Sequence, residues 1–158
     1  MKKGSEKYFD IAIEEAKSGI DSDEGGPFGA VIVKEGKIIA SAHNEVIKTN
    51  DPTAHAEILV IRRASEKLSR FDLSDCTIYS TCEPCPMCFS AIHWAKIKNL
   101  HYGCDNRDAA EIGFDDKFIY DVIRGVSNNQ KVNSVQEHKE KCLLLFEMWE
   151  EKKDKVQY

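Results

Sequence analysis

CTIYSTCEPCPMC, residues 76–88, starts as a strand and finishes as a helix, and the fold hangs on where the change falls. Cys76 to Thr81 reads as a short buried strand. Thr81 to Cys88 then carries three of the chain's six cysteines and two of its four prolines. Two overlapping C-x-x-C pairs can be drawn, Cys82 with Cys85 and Cys85 with Cys88. Pro84 favours an extended residue before it and a helix start after it. With the helix beginning near Pro84, Cys85 and Cys88 lie at i and i+3 on one face of the first turn. Unpaired N–H groups and the helix dipole favour thiolates there. Cys82 belongs to the strand and points elsewhere, so the second pair is the better ligand pair.

Outward from this junction, the helix is expected over Pro86–Lys98 and a further strand over Leu100–Cys104. Upstream, Tyr8, Phe9, Ala12, Ile13, Ala16 and Ile20 recur at helical spacing. GGPFGAVIVKEGKIIASAHN (25–44) reads as a hairpin turning at Lys34-Glu35-Gly36 and ending at Asn44. Asp51 and Pro52 suit the cap and first position of a helix, with Ala54, Ile58, Ile61, Ala64 and Leu68 on its apolar face. Downstream, 116–124 reads as a short helix. Residues 140–155 read as a longer one, with Leu144, Leu145, Met148 and Trp149 inward. Strands alternating with helices imply an α/β fold with a central sheet covered on both faces.

The 158 residues fit one domain, and 42% hydrophobic with 31% charged residues is a globular composition. No apolar run approaches the roughly 20 residues of a membrane span. The N-terminus alternates charge through its apolar positions and lacks a secretory pattern, so the expected location is cytoplasmic. A reducing compartment turns clustered cysteines towards metal or catalysis rather than disulfides. The net charge of −5 offers no basic excess for a nucleic acid and leans towards a small substrate.

Two thiolates do not complete a metal site. Of five histidines, His55 stands out, in the first turn expected after Asp51-Pro52, within T-A-H-A-E. One His and two Cys leave a tetrahedral zinc position open, the arrangement of a catalytic site. Bound Zn²⁺ brings water towards hydroxide, and a carboxylate beside that water can move its proton. Glu57 is the candidate, better placed as a base than as a ligand. His55-x-Glu57 followed by Pro84-Cys85-x-x-Cys88 is the pattern of zinc deaminases.

The chain resembles the cytidine/deoxycytidylate deaminase superfamily, and within it is most similar to the bacterial guanine deaminases. The similar segments are GGPFGAVIVK (25–34), NDPTAHAE (50–57), CEPCPMC (82–88), DAAEIGFDDKFIY (108–120) and the terminal tyrosine. NDPTAHAE and the cysteine motif are shared with tRNA adenosine deaminases, whereas GFDD and Tyr158 discriminate. The resemblance implies a three-layer α/β/α sandwich with a mixed sheet of about five strands over 1–158. It also implies a homodimer whose C-terminal segment, about 140–158, crosses to the partner. It assigns one zinc per chain to His55, Cys85 and Cys88, and proton transfer to Glu57. Asn44 and the backbone N–H of Ala56 would bind the purine, with Phe28, Trp94 and Phe114 walling the ring. Asp116 would meet the amino group, and Tyr158 would reach in from the partner. The implied reaction is hydrolysis of guanine to xanthine and ammonia without an organic cofactor.

On residue type alone Phe28, Trp94 and Phe114 read as core, Asp115-Asp116 as a helix cap, and Tyr158 as part of a frayed end. Cys76, Cys82, Cys104 and Cys142 read as small buried hydrophobes, His43 as a strand-end polar residue, and His93 and His101 as structural. Rival substrates are guanosine, cytosine, ammeline and adenosine in tRNA. Rivals outside deamination are a structural zinc module and a thiol–disulfide enzyme on Cys85-x-x-Cys88.

Overall fold

In the computed structural model, residues 4–158 are described. Their order is α1 (Glu6–Asp21), β1 (Gly29–Lys34), β2 (Lys37–His43), α2 (Val46–Thr49), α3 (Ala56–Leu68), β3 (Thr77–Cys82), α4 (Pro86–Trp94), β4 (Asn99–Cys104), α5 (Asn106–Glu111), α6 (Lys117–Ile123) and α7 (Lys139–Glu151). The sheet runs β2-β1-β3-β4, with β1 antiparallel to both neighbours and β3 parallel to β4 across the α4 crossover. It is therefore mixed, as expected, but has four strands among the described residues rather than about five. After β4 the chain turns into helices. The stretch 124–138 has no alternating apolar run to fill an edge, and its Val126, Val132 and Val135 are exposed.

Strand alternation sorts the core into two layers. From β1, Ala30 and Ile32 face α3 and α4, joining Val60, Ala64, Leu73, Ile78 and Ile92. Val31 and Val33 face α1, meeting Tyr8, Ala12 and Tyr79. Each large aliphatic side chain taken fully out of water contributes about 1.5–3 kcal/mol. Helix α1 lies so close to β1 that a Cβ on Gly29 would stand 1.9 Å from the Ala12 carbonyl oxygen. The hairpin closes through Glu35 and Gly36, with φ 49° and 75°, the left-handed pair that matches strand twist.

Several expected inward residues face out. Ile13 and Ile20 sit about 100° and 80° off the centre of the Tyr8–Ala12–Ala16 stripe and are exposed. On α3 the buried stripe is Ala56, Val60 and Ala64, with Ile58 and Ile61 flanking it. Leu144, Leu145 and Met148 of α7 are exposed and Trp149 is 36% exposed, and no residue of α7 is buried. Cys104 and Cys142 are exposed, while Cys76 and Cys82 are buried. Among the described residues no helix is long and apolar enough to cross a membrane.

Candidate active site

Two helix N-termini meet beyond the end of β3. The first starts later than Asp51-Pro52 predicts, and the second starts at Pro86, as the expected 86–98 span has it, but two residues after the Pro84 cue. Asp51 does not cap α3; its Oδ1 accepts from the Thr53 N–H and hydroxyl (2.8 and 2.7 Å), closing a turn. The helix then begins at Ala56, with His55 as its extended N-cap residue. Likewise Cys85 is the extended N-cap of α4, and Pro86, not Pro84, takes the first helical position. N-cap and third-position side chains face one another, so Cys85 and Cys88 still converge.

Cys85 Sγ and Cys88 Sγ lie 3.6 and 3.5 Å from His55 Nδ1, and the three donor atoms fall within 4.8 Å of one another. A tetrahedral ion about 2.3 Å from sulfur and 2.0–2.1 Å from nitrogen separates such donors by about 3.6 Å, so the residues fit zinc. The electrostatics also favour a cation. The Cys88 thiol, with His55 assisting against burial, holds Cys85 down to about 4. Cys88 itself is pushed far up, by the sulfur of Cys85 and by burial. A protonated His55 favours the Cys85 thiolate, and ionising Cys88 as well calls for further positive charge. Cys82 stays out of this group; its thiol is pushed up to about 12, first by burial, and it lines the adjoining cavity. Among the described residues the cluster thus has three donors, short of a closed four-ligand structural site.

Glu57, at the second position of α3, is buried, and burial raises its pKa. It is not among the donors. Its Oε1 accepts from Ser80 Oγ at 3.0 Å. Sequence reasoning missed Ser80, although a polar residue between Ile78 and Cys82 on the buried face of β3 is a readable signal.

A cavity of about 260 Å³ opens beside these groups, just under the roughly 300–1,000 Å³ usual for drug-sized ligands. Phe28, Asn44, Phe114 and Asp116 line it with His55, Glu57 and Cys85. Phe28 and Phe114 pack edge to face, centroids 5.0 Å apart. Asn44 Oδ1 accepts from the Gly26 and Val46 N–H groups (3.3 and 3.1 Å), which leaves its NH₂ as the free donor. A Cβ on Gly25 would lie 2.2 Å from that Oδ1, so the glycine is needed for the approach. Asp116 Oδ1 is buried without a protein partner, and its carboxyl is pushed up to about 6, first by burial and then by Cys85. Ala56 is buried at the start of α3, where helix N–H groups lack intrahelical acceptors.

Trp94 and Tyr158 are not brought to the cavity within one chain. They lie 6.2 Å apart on a separate exposed surface, where Tyr158 also meets Phe71.

Comparison with known proteins follows the same division. The cytidine and deoxycytidylate deaminase zinc-binding region matches residues 2–104. The chain is 44% identical to the guanine deaminase of Bacillus subtilis (strain 168) over 153 residues, covering 97% of this chain and 98% of that one. The X-ray structure of guanine deaminase from Bacillus subtilis superposes with a TM-score of 0.91 at 44% identity, over 97% of this chain and 98% of that one. The tRNA-specific adenosine deaminase of Agrobacterium fabrum is also 44% identical, but over 63% of this chain and 64% of its own.

Proposed function

The chain belongs to the cytidine and deoxycytidylate deaminase family, and from that premise we propose that it is a zinc-dependent guanine deaminase, hydrolysing guanine to xanthine and ammonia. The carrying observation is the extent of likeness: that to guanine deaminase covers 97% of this chain, against 63% for the tRNA deaminase. The far wall of the cavity, Phe114 and Asp116, lies in the part beyond residue 104. The cavity is also small enough to suit a free base.

His55, Cys85 and Cys88 would hold one zinc per chain. When bound, it supplies a Lewis acid that lowers the pKa of a water towards neutrality. Phe28 and Phe114 flank the ring and exclude solvent. The Asn44 NH₂ donates to a ring acceptor and fixes the base in plane, with the Ala56 N–H alongside. Asp116 accepts from the amino group at C2. Glu57 takes one proton from the attacking water and gives it to a ring nitrogen; it then takes the proton of the new C2 hydroxyl and gives it to the amine, so that the C–N bond breaks as the C2 carbonyl forms. Ser80 keeps the carboxylate aimed. Water adds and ammonia leaves, with no change of oxidation state.

The reading includes a cytoplasmic homodimer in which residues from about 140 onwards cover the partner's site. The exposed apolar faces of α6 and α7, and the exposed Trp94–Tyr158 pair, support a covering chain.

Ammonia release over guanine, guanosine, cytosine, adenosine, ammeline and a tRNA anticodon stem is the direct test. Guanine is expected to be the best substrate; an inactive guanine with another active compound overturns the substrate and keeps the reaction class. Removing the last few residues is expected to raise KM for guanine, and unchanged kinetics would count against Tyr158.

A further inference from the structure

A second histidine-centred cluster lies outside the cavity. His43, the last residue of β2, is partly buried. Its Nδ1 stands 2.8 Å from Glu15 Oε2 on α1, and its Nε2 stands 2.5 Å from Glu24 Oε2 on the following loop. Two acceptors on the two ring nitrogens require two N–H donors, which only the protonated imidazole has. The surrounding charges agree. Glu45 Oε1 is 3.9 Å from Nε2. Lys48 of α2 stands 3.1 Å from Glu24 and 3.8 Å from Glu45. Arg63 of α3 pairs with Glu45 at 2.8 Å and donates to the Ser41 carbonyl, while the Ser41 hydroxyl donates to Glu15. Once the ring is protonated, three carboxylates face three cations, so the cluster is neutral without a metal. Burial works against the charge, but hydrogen bonds to Glu24 and Glu15 outweigh it and raise the His43 pKa.

This cluster fastens the end of the cavity that holds Asn44. The Asn44 N–H donates to the Phe28 carbonyl (3.0 Å), and the N–H groups of Ile47 and Lys48 donate to the Glu24 carbonyl (both 3.0 Å). With the Gly26 and Val46 bonds to Asn44 Oδ1, the loop 24–28 and the segment 44–48 form one stitched unit. Its side-chain anchor to the sheet and α1 is His43. The fit is close: a Cβ on Gly19 of α1 would stand 2.7 Å from the His43 ring.

We propose that His43, by tying Glu15 and Glu24 to the end of β2, is the positioning residue that sets the angle of the Asn44 amide in the cavity. The inference rests on the reading of Asn44 as the base-binding donor. His43 touches no substrate; it acts through its neighbour.

The test uses full-length, zinc-loaded protein. His43→Leu is expected to raise KM for guanine roughly tenfold, with kcat falling less than KM rises. In an Asn44→Ala background the same change is expected to add less than about twofold, because the two residues act as a unit. His43→Gln, with one donor group, recovers most of the KM. It is also expected to remove the rise in KM expected of the wild type as pH climbs through the elevated His43 pKa. A His43→Leu KM equal to wild type, a full effect in the Asn44→Ala background, or the same alkaline rise in His43→Gln overturns the proposal. A substrate-free arm separates it from the guanine reading. Amide hydrogen exchange at Gly26 and Val46 is expected to speed up about tenfold or more in His43→Leu. Unchanged exchange overturns the role of His43 whichever base the enzyme takes, while faster exchange with guanine inactive sinks only the substrate.

Discussion

His55 and His43 each draw two side chains to their rings; His55 lines the cavity, and His43 precedes Asn44, which lines it. Their surroundings differ. His55 meets two sulfurs at 3.6 and 3.5 Å, where a second thiolate would be costly without added positive charge. His43 meets two carboxylates at 2.8 and 2.5 Å, and Lys48 and Arg63 complete the balance from the protein itself. Glu24, His43 and Glu45 also place ligand atoms close enough together to hold an ion. Proximity of donors therefore does not separate a metal centre from an ion-pair clamp. The local charge balance does: a site short of cations calls for a metal, and one that already holds them does not.

Breaking the first cluster should have the largest effect. His55→Ala or Cys85→Ala is expected to lose both zinc and turnover, whereas Glu24→Gln keeps about one zinc per chain by elemental analysis. Zinc lost from Glu24→Gln would erase the distinction. Next comes Glu57→Ala, expected to cut kcat roughly 10²–10⁴-fold with zinc retained. Normal deamination by that variant would remove the carboxylate from the chemistry. Ser80→Ala should cost less, about tenfold in kcat at unchanged zinc content, because one hydrogen bond to a buried carboxylate is lost.

The smallest effect concerns stability. The raised His43 pKa contributes stability that is present below about pH 6.5 and fades as pH rises through the folded-state value. The lowered Glu15 and Glu24 pKa values contribute above about pH 4.3 and fade as pH falls. The Tm difference between wild type and His43→Gln is thus expected to peak near pH 6 and shrink on both sides. A difference that grows towards alkaline pH would contradict a charged His43.

The two clusters were not equally legible. His55, Glu57, Cys85 and Cys88 come from short motifs, and their spacing brings them together once each segment starts a helix. The Asp51-Pro52 cue misplaced the start of α3, because Asp51 satisfied its own turn, whereas α4 starts at Pro86 as the expected 86–98 span has it and ends earlier, at Trp94; with Cys85 extended before it, the cysteine spacing survived. His43 read as an ordinary strand-end residue: its partners come from α1 and the next loop, and no spacing rule links residues 15, 24 and 43. Ser80 was missed because its partner lies 23 residues away on another element. The apolar face of α7 was assigned to the core, since a helical period gives a face but not what covers it.

The sequence by itself determined the α/β layering, the hairpin and the grouping of His55, Cys85 and Cys88 with Glu57 nearby, because these follow from periodicity and from chemistry repeated within a few residues of a helix start. Tertiary structure alone decided the four-stranded sheet, the partner that aims Glu57, and which donor Asn44 offers to the cavity. It also decided that Trp94 and Tyr158 stand apart from the zinc side of their own chain. Those depend on contacts between residues far apart in sequence, whose distances are set by packing rather than by local pattern.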